Sequence, residues 1–182
     1  IMKPKNIKNR IGEGMKSGFI TIVGRPNVGK STLMNKLVKE KVAIVSDKAG
    51  TTRDQIKGIV NIGESQFIFV DTPGIHKPKH LLGEHMTNVA LEALENVDLI
   101  MFMLDGTQEI STGDMFVNEN VRSVNTPIVL VINKIDKMSD EEIEEKKKEI
   151  REKLGEFDDI ITLTAEYAIG IHKIFEVAEK YL

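Results

Sequence analysis

The stretch Gly24-Arg25-Pro26-Asn27-Val28-Gly29-Lys30-Ser31 constrains this chain more than any other. It follows the apolar run Phe19–Val23 and precedes a segment in which Leu33, Met34 and Leu37 recur at helical spacing. Glycines at both ends of a strand-to-helix turn let the backbone curl, so that its N–H groups point into one concavity. The positive end of the helix dipole reinforces them, and the result is a cradle for phosphate. Gly24, Gly29, Lys30 and Ser31 fit the spacing G-x-x-x-x-G-K-[ST]. Lys30 is then a point charge for β- and γ-phosphates, and the Ser31 hydroxyl is a hard oxygen ligand suited to Mg²⁺.

The rest of the chain repeats the same alternation. Ile56–Ile62 and Ser65–Val70 flank Gly63-Glu64, which predicts an antiparallel hairpin. Leu99–Leu104 and Ile128–Ile132 are almost wholly apolar, as parallel strands buried on both faces are. Ile160–Leu163 is the last strand expected. Helices are expected over Lys30–Val38, the later part of Leu82–Leu94, Ser111–Val124, Ser139–Leu154 and Ile171–Leu182. Met115, Phe116 and Val121 supply the apolar positions of the third, with Ser111 as its cap. In the fourth, Ser139 and Glu142 form a capping box. Glu142–Lys146 and Glu144–Lys148 are i,i+4 pairs on its solvated face, and Ile143, Ile150 and Leu154 turn inward. These elements make a three-layer α/β fold: a six-stranded, mostly parallel sheet with one antiparallel edge strand.

Composition narrows the chemistry. The 182 residues contain no cysteine, which excludes disulfides, a thiol nucleophile and Cys-ligated zinc. The net charge of −3 builds in no global attraction to nucleic acid. Residues 1–16 differ, carrying Lys3, Lys5, Lys8, Arg10 and Lys16 against Glu13. They read as a basic tail outside the domain, either an unstructured leader or an appended remnant. The other reading is an arm for RNA or acidic lipid, which the lack of aromatics disfavours. Residues 17–182 form the domain. No apolar run approaches the roughly 20 residues needed to span a bilayer.

Three further motifs lie just after predicted strands, where ligands bind in open α/β sheets. Asp71-Thr72-Pro73-Gly74 follows Phe67–Val70. Its carboxylate can hold Mg²⁺ through a water, and Gly74 lets a backbone N–H approach a γ-phosphate. Asn133-Lys134-Ile135-Asp136 follows Ile128–Ile132. Asp136 accepts two hydrogen bonds from the N1–H and amino group of guanine, a donor pair that adenine lacks. The Lys134 stem covers one face of the base. Thr164-Ala165-Glu166 follows the last strand, where the Ala165 N–H is placed to meet the guanine carbonyl. Gly50-Thr51-Thr52-Arg53-Asp54 lies between the first helix and the hairpin. A threonine there, Thr52 or Thr51, completes the Mg²⁺ shell only with a triphosphate bound, which makes the loop a switch.

With GRPNVGKS, GTTRD, DTPG, NKID and TAE in place, the chain resembles the translation-factor-like bacterial GTPases. VSDKAGTTRD and VDTPGIHKPKHLLGEHM make it similar to the Era family in particular. The likeness runs from about Ser17 to the C-terminus. It extends the nucleotide site to Arg25, Pro26, Asn27, Val28, Thr32, Thr72, Pro73 and Ile75. It implies slow GTP hydrolysis and a role in maturation of the small ribosomal subunit. It also implies a cytoplasmic protein with peripheral inner-membrane association, and rRNA binding through a C-terminal KH domain. No KH-type segment occurs up to Leu182, so rRNA contact is not expected of this stretch itself. A monomer is expected. Thr164 stands where the family more often has serine, a tolerable change if the contact is from backbone.

The resemblance also places Ile75 where Ras-like proteins carry the glutamine that orients water. Lys30, Thr52, Gly74 and Asn27 are therefore the expected catalytic set, with Asn27 helping to hold K⁺ near the phosphates. His76, His80 and His85 read as solvated loop residues rather than a metal site, and Arg53 as a loop or partner-facing residue. Two alternatives stand beside the hydrolytic switch. One is a nucleotide-gated binding module with incidental hydrolysis. The other is the G domain of a tandem or tRNA-modifying GTPase, against which the HKPKHLLGEHM segment speaks.

Overall fold

A computed structural model of the chain describes residues 14–40, 56–72 and 86–182. Six strands form one sheet in the order β2-β3-β1-β4-β5-β6. In chain order the elements are β1 (Lys16–Val23), α1 (Lys30–Glu40), β2 (Ile56–Ile62), β3 (Ser65–Val70), α2 (Asn88–Glu95) and β4 (Leu99–Asp105). There follow α3 (Thr112–Arg122), β5 (Ile128–Asn133), α4 (Asp140–Lys153), β6 (Asp159–Thr162) and α5 (His172–Ala178). β1 pairs in parallel with β3 and β4, and β5 in parallel with β4 and β6. Among the described strands β2 alone is antiparallel, paired with β3 at the edge, as the hairpin pattern predicted. Gly63 turns that hairpin at φ 58°, a left-handed conformation that favours glycine.

Period two along the strands divides the core. Ile100, Phe102 and Leu104 of β4 pack on the face that also buries Ala90 and Leu94 of α2, Val117 and Val121 of α3, and Ile150 of α4. Leu99, Met101 and Met103 pack on the other face with Leu33 and Leu37 of α1 and Ile174 and Phe175 of α5. Every residue of β4 is buried, which is why its sequence lacks polar alternation. Met101 and Met103 belong to this core.

The structure departs from the sequence pattern in several places, each with a local cause. β1 begins at Lys16 rather than Phe19, because backbone pairing with Ser65 and Gln66 carries it through polar residues. On α3, Met115 is 41% exposed, and Val117 takes the inward position instead. Ile143 is only half-buried on α4. The expected i,i+4 pairs give way to others. Glu142 accepts from the Ser139 N–H at 3.2 Å as part of the cap, while Lys146 reaches Glu149 at 2.8 Å. Lys147, not Lys148, meets Glu144, at 3.4 Å. The last helix gives way after Ala178 to a tight 3₁₀ turn over Glu179–Tyr181. That turn is tied down by the Tyr181 hydroxyl donating to Asp159 at 2.7 Å and Ser65 donating to Glu179 at 2.7 Å.

Asn120 of α3 is 2% exposed and fastens the chain entering α2. It accepts from the Met86 N–H at 2.9 Å and donates to the Phe116 carbonyl at 2.8 Å. Asn120→Ala leaves a buried N–H without its partner, a loss of about 1–3 kcal/mol. Equilibrium urea unfolding should register it, and an unmoved midpoint would refute the assignment.

Candidate nucleotide-binding site

The carboxyl ends of β1, β3, β5 and β6 carry Gly24–Ser31, Asp71-Thr72, Asn133–Asp136 and Thr164–Glu166, so the sheet brings them to one edge. The loop Gly24–Gly29 leaves β1 and feeds α1. A Cβ on Gly24 would stand 2.6 Å from the Met103 carbonyl oxygen of β4. Gly29 has φ 109°, and a Cβ there would fall 2.3 Å from the Asn133 side-chain amide. Glycine is required at Gly29 on both counts. Asn27 also adopts the left-handed region, at φ 67°. Val28 is wholly buried and anchors the loop to the core.

Lys30 lies along this loop. Its ammonium donates to the carbonyls of Gly24 and Arg25, both at 2.7 Å. Burial, then the Arg25 charge, lowers its pKa to about 8. An ammonium so disfavoured gains from an anion placed beside it. Pro26, Asn27, Lys30, Ser31 and Thr32 line one cavity of about 800 Å³ together with Asp71 and Lys134. Cationic, hydroxyl and carboxylate groups thus face one space. Lys57 of β2 is also on its wall, 3.9 Å from Asp71. Thr72 is buried; its N–H donates to Asp71 Oδ1 at 2.9 Å, and its hydroxyl stands 3.5 Å from that of Thr21.

The guanidinium of Arg25, a residue counted with the nucleotide contacts, turns to Asp114 of α3, with Nε 3.1 Å from Oδ1. Asp114 is buried and already accepts from the Ser111 N–H in a capping box, so it provides a fixed anion for the arginine. The Arg25 carbonyl accepts from Lys30, and its charge helps to lower the Lys30 pKa.

A second cluster holds the other two motifs. Asn133 is 3% exposed. Its amide donates to the Val28 carbonyl at 2.9 Å and accepts from the Ala165 N–H at 2.9 Å. The Ala165 N–H, expected to face the base, is therefore engaged inside the protein. The Thr164 hydroxyl accepts from the Asp136 N–H at 3.1 Å and donates to its carboxylate at 3.4 Å. Thr164 thus orients Asp136 through its side chain, where only a backbone contact was expected. Asp136 and Glu166 are exposed. Lys134, at φ 68°, spans the two clusters: its ammonium donates to Asp105 at 2.7 Å and reaches the Asn27 carbonyl at 3.5 Å.

Asp105, Asp114 and Lys57 escaped the sequence reading. Asp105 had a signal, since it is an acid closing a buried apolar strand, as Asp71 is. Asp114 is hidden behind its capping role, and Lys57 has no signal beyond its place on an edge strand. Thr51, Thr52, Arg53, Pro73, Gly74, Ile75 and the histidines at 76, 80 and 85 lie outside the described residues.

Residues 19–134 match the family described as 50S ribosome-binding GTPase. The chain belongs to that family. It is 60% identical over 169 residues to GTPase Era of Fusobacterium nucleatum subsp. nucleatum, covering 92% of this chain and 57% of that relative. Among solved structures it is similar to Era in complex with MgGDPNP and nucleotides 1506–1542 of 16S ribosomal RNA. The TM-score is 0.73 at 42% identity, over 92% of this chain and 57% of the other. An Aquifex aeolicus Era variant bound to GDP·AlF4⁻ gives 0.72 at 42% identity, with 92% and 57% covered. This GTPase-family chain thus spans little more than half the length of these relatives.

Asn133 joins its two clusters through one buried amide. Asn133→Ala deprives two buried backbone groups of partners, at about 1–3 kcal/mol each. Thermal and urea unfolding should show a loss of about 2–6 kcal/mol. A loss below about 0.5 kcal/mol, the scale of an ordinary surface change, would show that the bridge does not hold the loop.

Proposed function

We propose that this chain binds guanine nucleotide and hydrolyses GTP slowly, serving as a switch in maturation of the small ribosomal subunit. One observation carries the reading. A cationic phosphate cradle and an exposed, oriented carboxylate are tied together through Asn133 and Lys134. The likeness to Era, at 60% identity, favours the small subunit although the family description names the large one. It also disfavours a tandem or tRNA-modifying GTPase.

In this reading Lys30 and the loop amides from Asn27 to Ser31 hold the phosphates, with Thr32 beside them. Asp136 reads the guanine edge, and Lys134 covers one face of the base. Residues 164–166 close the pocket behind it, with Thr164 as the support of Asp136. The donor set fits Mg²⁺: the Ser31 hydroxyl and the Asp71 carboxylate are hard oxygens on one cavity wall. When bound, Mg²⁺ neutralises phosphate charge and orients the terminal phosphoryl group. Thr52, or Thr51, is assigned to the same shell, and Gly74 to the γ-phosphate, on the family likeness. Ile75 offers no group to orient water, so low intrinsic turnover is expected. Asn27, exposed on the cavity wall, is assigned to K⁺, which supplies positive charge near the phosphates.

Residues 17–182 are assigned to the nucleotide-binding domain and the residues before them to a basic tail, of which Lys16 already pairs in β1. Contact with rRNA belongs to a KH domain beyond these residues. No helix among the described residues is long and apolar enough to cross a membrane. A cytoplasmic monomer with peripheral contact at the inner membrane completes the proposal. The alternative, a nucleotide-gated module with incidental hydrolysis, shares every contact and differs only in output.

Two measurements test it. Asp136→Asn exchanges an acceptor for a donor, which suits xanthine, whose ring carries a carbonyl where guanine has its amine. Titrations with GDP and xanthosine diphosphate should show the preference for GDP lost by up to about 10⁴-fold. An unchanged preference would remove Asp136 from the base pocket. GTP turnover should be faster in K⁺ than in Na⁺ buffer, and Asn27→Ala should abolish the difference. Equal rates in both salts, with Asn27→Ala silent, would end the K⁺ assignment.

A further inference from the structure

We infer that Asp105 is a positioning residue for the base pocket: it pins the Lys134 ammonium between the two clusters and thereby slows release of guanine nucleotide. The inference rests on the guanine-nucleotide reading above. Asp105 ends β4 and is the Cα partner of Asn133 across the β4–β5 ladder. It is 7% exposed, and both its oxygens are committed. Oδ1 accepts from the Thr107 N–H at 2.9 Å and the Thr107 hydroxyl at 2.6 Å. Oδ2 accepts from the Lys134 ammonium at 2.7 Å. Burial alone would raise the Asp105 pKa, but the bonds from Lys134 and Thr107 outweigh it and hold the carboxyl below its usual range.

The arrangement acts on Lys134 at both ends. Its backbone is held left-handed, at φ 68°, by the chain turning out of β5. Its ammonium is fixed by Asp105 and faces the Asn27 carbonyl of the phosphate loop. Pinned so, the four-carbon stem forms a wall rather than a tether in solvent. With Asp105 neutral, the ammonium regains water and the stem loses its fixed course.

The sign of the effect separates this role from simple electrostatics. A buried carboxylate near an anionic ligand opposes binding, so removing its charge should tighten the complex if the field alone matters. If Asp105 works through Lys134, the same change loosens it. A general structural role differs again, because it would add to the loss of Lys134 rather than be contained in it.

The experiment is stopped-flow release of N-methylanthraniloyl-GDP from the 182-residue chain, with urea unfolding of each variant. Asp105→Asn should speed release about tenfold or more, and Asp105→Glu should recover part of the loss. Lys134→Met should do the same as Asp105→Asn, and the double variant should release no faster than the faster single one. Unchanged or slower release in Asp105→Asn overturns the inference, as do effects that multiply in the double variant. If Asp105→Asn does not fold, Thr107→Val, at an exposed position, removes only one hydroxyl donor and should speed release several-fold. No change there overturns the inference as well. Failure of the unaltered chain to bind the probe overturns the guanine reading and the inference together. Binding with release unmoved by the variants overturns the inference alone.

Discussion

The side-chain amide of Asn133 is the contact on which the rest of the site depends. It ties the loop after β1 to the loop after β6, two segments held by different strands and separated by the width of β4 and β5. Because it is buried, neither of its hydrogen bonds competes with water, and loss of either leaves an unpaired backbone group. Gly29 makes the approach possible by having no Cβ where the amide lies. A glycine in the first motif and an asparagine in the fourth are thus two halves of one contact. The phosphate cradle has its shape partly because the base-binding segment holds it.

The fold supplies this contact with a rigid frame. Parallel strands buried on both faces fix the carboxyl edge from below, with α1 and α5 on one face and α2, α3 and α4 on the other. Loops leaving that edge start from positions the core has already determined, so a few side chains suffice to organise them. Asp114 holds Arg25, Asp105 holds Lys134, and Thr164 holds Asp136. Each is a short polar side chain whose own orientation is set by a cap or a backbone N–H. The acids that bind no ligand in the proposed reading position the residues that do.

Much of this was legible in the sequence, and the part that was not has a common cause. The strands and their mostly parallel pairing follow from apolar runs alternating with helices, and the hairpin at Gly63-Glu64 from its turn residues. The motifs were legible because each is contiguous. The Arg25–Asp114 pair was not legible because the two residues lie far apart along the chain. Ala165 was expected to face a base because spacing reveals that an N–H lies near the edge, not which acceptor takes it. Met115 and Ile143 show the same limit on helices, where period 3.6 gives a face and tertiary packing decides its width. Partnerships between distant residues are set by the fold, and no local pattern announces them.

Asn27 and Lys134 are both left-handed, though neither is glycine, and they meet through an ammonium and a carbonyl. Each conformation is uphill for an isolated residue, and it persists only while its surroundings over-determine it. The two therefore behave as a latch rather than as independent hinges, since each is held partly by the other. A chain whose sheet is weakened should relax here before it unfolds elsewhere, so the nucleotide site is also the place where early loss of order would first be felt.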